Sequence, residues 1–325
     1  MKISLSFPRR FLSPLLAAAL MFSAARASAQ YAMLDAFKAN PSASLDVSGV
    51  NALKVSKKVL VPTLQLRVAV QGSVFAAKSA GSSTASAKGS WTVEGHQREA
   101  LVALAKKLEA DYIAQLKAAG WEVLSYADIS GDAGVSAMER LAGEGPLNFP
   151  LRKDSNGVTY AIVTPTDAQN FKPAMQGPTW GFRFVAKERD ATILIPQIDI
   201  VAPQVWAETR KGYKSASAEI KSAPGMNLNY AMVQGFTPKG GGMLIKLKHP
   251  IVNATTSAGE FSSAADKTPT AANKLSKGLS ILGGGGNINR ASAAYVFAID
   301  PAKFEAGVLA GSDAFLQASI KAMGH

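Results

Sequence analysis

The chain has 325 residues, no cysteine, 8% aromatic residues and a formal charge of +12. Lacking cysteine, it cannot carry a disulfide framework, a thiolate metal site, a cysteine nucleophile or a lipid attached to a cysteine. It is long enough to do without such staples, because chains of roughly 300 residues bury about three quarters of their unfolded surface.

The first element is a run of signals rather than a fold. Lys2, Arg9 and Arg10 precede an apolar stretch from Phe11 to Phe22, followed by Ala27-Ser28-Ala29. That order predicts a secretory signal peptide over residues 1–29, with cleavage after Ala29. The apolar stretch is 12 residues long, short of the roughly 20 that a membrane-spanning helix needs. Arg9-Arg10-Phe11-Leu12 is similar to a twin-arginine signal without its usual spacer, so both export routes stay open. The leader holds Lys2, Arg9, Arg10 and Arg26 and no acid, so 12 − 4 leaves +8 on the remainder. The expected location is periplasmic or secreted. There the anionic partners are envelope surfaces, not nucleic acid. No later stretch reaches 18 consecutive apolar residues, so no transmembrane helix is expected in the mature chain.

Residues 30–58 read as a short helix and a loop ahead of one α/β domain over 59–325, with a division into two sub-domains near 150–190 left open. Val59-Leu60-Val61-Pro62-Thr63-Leu64-Gln65-Leu66 begins apolar throughout and then alternates, as a strand buried on both faces at one end does. Pro62 cannot donate to a ladder, which predicts an edge position or a bulge. Residues 76–90, rich in Ala, Ser, Gly and Lys, predict a flexible tip. From Gln97 to Ala119, Leu101, Leu104, Leu108, Tyr112 and Leu116 recur at helical spacing, and Gly120 supplies the stop. Trp121 to Tyr126 then reads as a strand, which with a short strand at Ser90 to Glu94 ahead of the helix completes a βαβ unit.

Ile193-Leu194-Ile195-Pro196-Gln197-Ile198-Asp199-Ile200 matches the first strand in polarity, proline included. The two predict a pair of open edges carried by Val59, Val61, Pro62 and Leu64 and by Ile193, Ile195, Pro196 and Ile198, available to added strands. Further strands are expected at 158–163, 181–186, 227–234, 243–248 and 293–299. Residues 252–274 read as a loop, 273–282 as a short helix, and 301–323 as a final helix broken near Gly311. The fold class is α/β, with α+β character in the second half: a mixed sheet with long amphipathic helices packed on it.

Motifs for catalysis are sparse. The three histidines are His96, His249 and His325, and no Gly-x-Ser-x-Gly elbow occurs. Glu94, His96 and Glu99 cluster at a helix start, as a metal site or as helix-end electrostatics. Gly283 to Gly286 lacks the Lys-Ser or Lys-Thr ending of a phosphate loop. No cofactor fingerprint is present, so no cofactor is expected. Asp128, Asp132, Asp199 and Glu208 lie near strand ends and are the carboxylates a hydrolase would use.

The portion from residue 59 to 129 resembles the small α/β modules of bacterial envelope assembly proteins, such as the curli-secretion channel and the N-terminal domain of the Tol-system periplasmic protein. The resemblance rests on the Val-Leu-Val-Pro strand, the Leu116-Lys117-Ala118-Ala119-Gly120 helix end and the Trp121-Glu122-Val123-Leu124 strand. It implies docking or oligomerisation without catalysis; the lipid-bearing cysteine of the curli channel is absent. The expectation is an exported, non-enzymatic binding or assembly protein acting on another envelope protein or on itself through exposed sheet edges. A secreted hydrolase using carboxylates and a periplasmic carrier of an apolar ligand are the alternatives.

Overall fold

A computed structural model describes residues 32–55, 57–80, 83–174, 177–213, 215–261 and 288–324. The expected signal peptide, the helix at 273–282, the glycine run at 283–286 and His325 lie outside these residues.

The chain starts with β1 (Ala32–Met33), α1 (Leu34–Ala39) and β2 (Leu45–Ser48). Next come β3 (Lys58–Val61) and the long hairpin of β4 (Gln65–Ala80) and β5 (Ser83–Glu94). Helix α2 (Arg98–Ala118) leads to β6 (Glu122–Ser125), the single turn α3 (Ala133–Ser136), β7 (Leu151–Lys153) and β8 (Thr159–Val163). The second half holds α4 (Arg183–Arg189), β9 (Thr192–Val201), a hairpin of β10 (Gln204–Lys211) and β11 (Ala216–Ala223), and β12 (Gly225–Phe236). It ends with β13 (Gly242–Leu247), β14 (Ile251–Ser257), β15 (Gly259–Phe261), β16 (Ile288–Ile299) and α5 (Pro301–Ala322).

Fourteen of these strands form one mixed sheet along the path β1-β14-β12-β9-β4-β5-β16-β15, with the others pairing onto it, while β10 and β11 form a sheet of two. Helix α2 does lead into a parallel strand, but the partner of β6 is β3, Val59 opposite Val123, and not β5, which pairs with β4 and β16. Helices α2 and α5 cover one face. Leu101, Leu104, Leu108 and Tyr112 of α2 and Phe304, Val308 and Phe315 of α5 pack with Leu66, Val68, Ile198, Ile200 and Val233. Helix α5 runs unbroken through Gly311, which is buried.

The two proline-bearing strands are not edges. Val59, Val61 and Leu64 are fully buried, as are Ile193 and Ile198; Pro62, Ile195 and Pro196 are buried as well. Strand β9 lies between antiparallel β12 and the parallel pair β3 and β4, and β3 lies between β6 and β9. The prolines are accommodated by a bulge. Leu60 pairs with Ile193 and Gln65 with Gln197, so residues 61–64 face only residues 194–196. One strand carries an extra residue there, so Pro62 falls where no ladder bond is made on the β9 side, while Pro196 stays paired opposite Val233 of β12.

Three more expectations are corrected. Residues 181–186 are not a strand but a tight turn at Trp180–Phe182 followed by α4. Phe182, Val185 and Ala186 recur at helical spacing and share one buried face. Most of the 76–90 tip is paired strand, from Ala76 opposite Ala87 to Ala80 opposite Ser83. Small side chains there admit the β10–β11 hairpin, with Ala216 against Ala80 and Ala85. Within 252–274, expected as loop, residues 252–257 belong to β14 and Gly259–Phe261 to β15.

Candidate binding cleft

The face of the sheet away from α2 and α5 changes character along each central strand. On β9, Ile193 and Ile195 are covered by α3 and α4 with Ile129, Phe171 and Phe182. Val201, on the same face, packs with Ala69, Trp91 and Tyr160 beneath the β10–β11 hairpin. Between the two apolar covers, period-two alternation places Gln197 and Asp199 on β9 and Gln65 and Arg67 on β4. They floor an open cleft of about 850 Å³. Its walls are the turn at Asp154–Asn156, the chain around Pro173 and Pro178, and Tyr160, Asn229 and Tyr230. The Asp154 turn is self-braced, since Asp154 Oδ1 accepts from the backbone N–H groups of Asn156 and Val158, both at 2.9 Å.

Register puts the charged pair side by side: Arg67 is opposite Asp199, Gln65 opposite Gln197, and Asp199 opposite Tyr230 on the far side. Arg67 is 7% exposed and Asp199 8%. Their closest approach, Arg67 Nη1 to Asp199 Oδ2, is 3.8 Å, an ion pair without a hydrogen bond. Arg67 Nη2 donates to Gln65 Oε1 at 3.3 Å, and Gln197 Nε2 donates to Asp199 Oδ1 at 3.0 Å. Arg67 Nε has no partner. At the rim, Asn229 Nδ2 donates to the Tyr160 hydroxyl at 3.1 Å.

Burial sets the electrostatics. Desolvation pushes the Asp199 carboxyl up to about 6, against the pull of Arg67 and the Gln197 hydrogen bond. Desolvation also lowers Arg67, which Asp199 offsets in part. Tyr160 is raised by burial first and by Asp199 second. A guanidinium presents five N–H donors, and Arg67 uses few of them. Taking such a charge out of water is costly unless its donors are used, so the arrangement favours a guest that uses them.

The four sequence-predicted carboxylates are not brought together. Only Asp199 lines the cleft. Asp128 is exposed and caps a turn, accepting from Ser125 N at 2.7 Å and Ser125 Oγ at 2.9 Å. Asp132 pairs with Arg189 at 2.8 Å. Glu208 sits on the β10–β11 hairpin and accepts from Lys221 at 2.7 Å and from Trp206 at 3.1 Å. Glu94, His96 and Glu99 do not form a metal cluster: among the described residues no group of three His, Cys, Asp or Glu could hold a metal ion. Glu94 and Glu99 are exposed, whereas His96 packs its ring edgewise on Phe304, centroids 5.0 Å apart. Burial drops His96 to about 4. His249 lines a smaller recess of about 410 Å³ that shares Asn229, Tyr230 and Pro250 with the cleft.

Residues that sequence reasoning passed over are Gln65, Arg67, Tyr160, Gln197 and Asn229. Their signal was present: Gln65 and Arg67, and Gln197 and Asp199, are polar pairs on one alternating face of otherwise apolar strands. Among the described residues no helix is long and apolar enough to cross a membrane. Comparison with protein-family models, with curated proteins and with solved structures finds no match.

Proposed function

We propose that the protein is exported and acts in the bacterial envelope or outside the cell as a binding protein, with the Arg67–Asp199 cleft as its ligand site. The export leader read from residues 1–29 carries the location. One observation carries the binding: a buried guanidinium with an unused donor on the floor of an open polar cleft. Polar groups converging in a concavity are the usual make-up of a small-molecule site. The lining favours a polar ligand over an apolar one. The basic excess suits a protein working near anionic envelope surfaces.

The test is calorimetry of purified protein against a panel of small polar metabolites, with Arg67→Met beside the native chain. At least one compound should bind and lose most of its affinity in the variant. Binding untouched by Arg67→Met would remove the cleft from the reading. A hydrolase remains the second reading, because a carboxyl titrating near 6 can serve as a general acid or base. Turnover of a bound compound, abolished by Asp199→Asn, would select it.

A further inference from the structure

The floor of the cleft is divided by strand into a donating side and an accepting side. On β4, Arg67 offers its free guanidinium donors, and Gln65, whose Oε1 is taken by Arg67, has its Nε2 donors left over. On β9, Asp199 Oδ2 accepts no hydrogen bond, and Gln197, whose Nε2 is given to Asp199, has its Oε1 left over. The two charges are 3.8 Å apart on one face.

This spacing discriminates between guest chemistries. A plain anion on Arg67 brings its charge against the Asp199 carboxylate. A plain cation on Asp199 meets Arg67 in the same way. Like charges this close inside a partly desolvated site repel strongly. A group carrying both charges on neighbouring atoms meets neither penalty, and each of its ends gains a second partner in Gln65 or Gln197. We infer that the cleft recognises an α-amino-acid zwitterion, its carboxylate on Arg67 and Gln65 and its ammonium on Asp199 and Gln197. This rests on the cleft being a ligand site. A volume of about 850 Å³ exceeds what the zwitterionic group alone fills. The remainder, walled by Tyr160, Asn229 and Arg152, takes a polar body attached to it. The zwitterion is therefore either a free amino acid or the head of a larger polar molecule.

The experiment is calorimetric titration of the purified protein with L-glutamate, with glutarate, which lacks the ammonium, and with n-butylamine, which lacks the carboxylate. meso-Diaminopimelate and a dipeptide bearing a free α-amino-acid group on its side chain probe the larger body. Native protein, Arg67→Lys and Asp199→Asn are compared, with a melting curve for each to confirm folding. Zwitterions should bind about 10- to 100-fold more tightly than glutarate or butylamine, as charged hydrogen bonds warrant. Asp199→Asn should erase the preference for glutamate over glutarate, and Arg67→Lys should weaken every carboxylate by about 10-fold or more. Tighter binding of the larger probes than of glutamate would identify the zwitterion as a head group; the reverse would identify a free amino acid. Glutarate binding as well as glutamate would overturn the zwitterion and leave the cleft a site for anions. Tight glutamate binding that neither variant alters would overturn it too. If none of these probes binds while another polar compound does so in an Arg67-dependent way, the inference falls and the proposed function stands. If nothing binds at all, both fall.

Discussion

Gln169 Nε2 donates to Glu109 Oε1 at 2.8 Å and to the Pro62 carbonyl at 3.2 Å, so one carboxamide ties the middle of α2 to the bulge between β3 and β4. Glu109 also accepts from the backbone N–H of Leu64. The carboxyl is nonetheless pushed up to about 7, because burial outweighs both hydrogen bonds.

The sign of the consequence follows from linkage. Between the unfolded value of 4.5 and about 7, the folded protein holds a proton on Glu109 that the unfolded chain has lost. Stability contributed by this group therefore falls as pH rises through that window and stays low above it. Glu109→Gln keeps the acceptor oxygen and removes the charge. Urea unfolding at pH 8 should show the variant more stable by roughly 1–3 kcal/mol, with the gain vanishing near pH 4.5. A variant less stable at pH 8 would show that the ionised carboxylate is needed at the bulge.

His96 acts in the opposite direction. Its folded value of about 4 lies below the free value of 6.5, so the unfolded chain takes up a proton in this interval and the folded protein does not. Stability is fully present above 6.5 and is lost as pH falls towards 4. His96→Leu keeps an apolar contact with Phe304 and removes the titration. The drop in unfolding midpoint between pH 7 and pH 4.5 should shrink by the equivalent of about 2–3 kcal/mol. An unchanged drop would mean that the ring is solvated in the folded protein.

The proline strands separate what was legible in the sequence from what was not. Apolar runs such as Val59-Leu60-Val61 and Ile193-Leu194-Ile195 announced strands buried on both faces, and the spacing of Leu101, Leu104, Leu108 and Tyr112 announced α2 and its buried face. The partner of each proline was not announced. A lone proline is equally consistent with an edge and with a bulge, and only pairing decides; here Pro62 and Pro196 fall in the same break, where residues 61–64 face 194–196. The β10–β11 hairpin was missed for a related reason. Its inner face is Val205, Ala216, Ala218 and Ile220, too weakly apolar to stand out until Gly89 and Trp91 provide a surface for it. The cleft was half visible, as Asp199 without Arg67, because its two halves are more than a hundred residues apart in sequence.

An edge and an interior strand respond differently to charge. Ile195 packs against Phe182 and Val185 under α4, so Ile195→Lys buries an unpaired ammonium. Expression of folded protein should collapse, with a loss above about 4 kcal/mol in any fraction recovered. Ile195→Val should cost only about 0.5–1.5 kcal/mol. A well-folded Ile195→Lys variant would return β9 to the edge of the sheet.

The cleft's dependence on pH follows from the groups that face Asp199. These are Arg67 on β4, Arg152 and Asp154 from β7 and the turn after it, Tyr160 on β8 and Tyr230 on β12. Asp199 itself changes charge near neutrality, at about 6. Arg67 stays cationic throughout that range, and burial holds the tyrosines protonated. Lowering the pH from 7 to 5 therefore neutralises the accepting side and leaves the donating side intact. Affinity for glutamate should fall by up to about 10-fold over that interval, because its ammonium loses a charged partner. Affinity for glutarate should hold or rise, since the carboxylate beside its binding position has lost its charge. In Asp199→Asn both profiles should be flat. Parallel profiles for the two ligands in the native protein would mean that the ammonium makes no contact with Asp199, and that Arg67 recognises its guest alone.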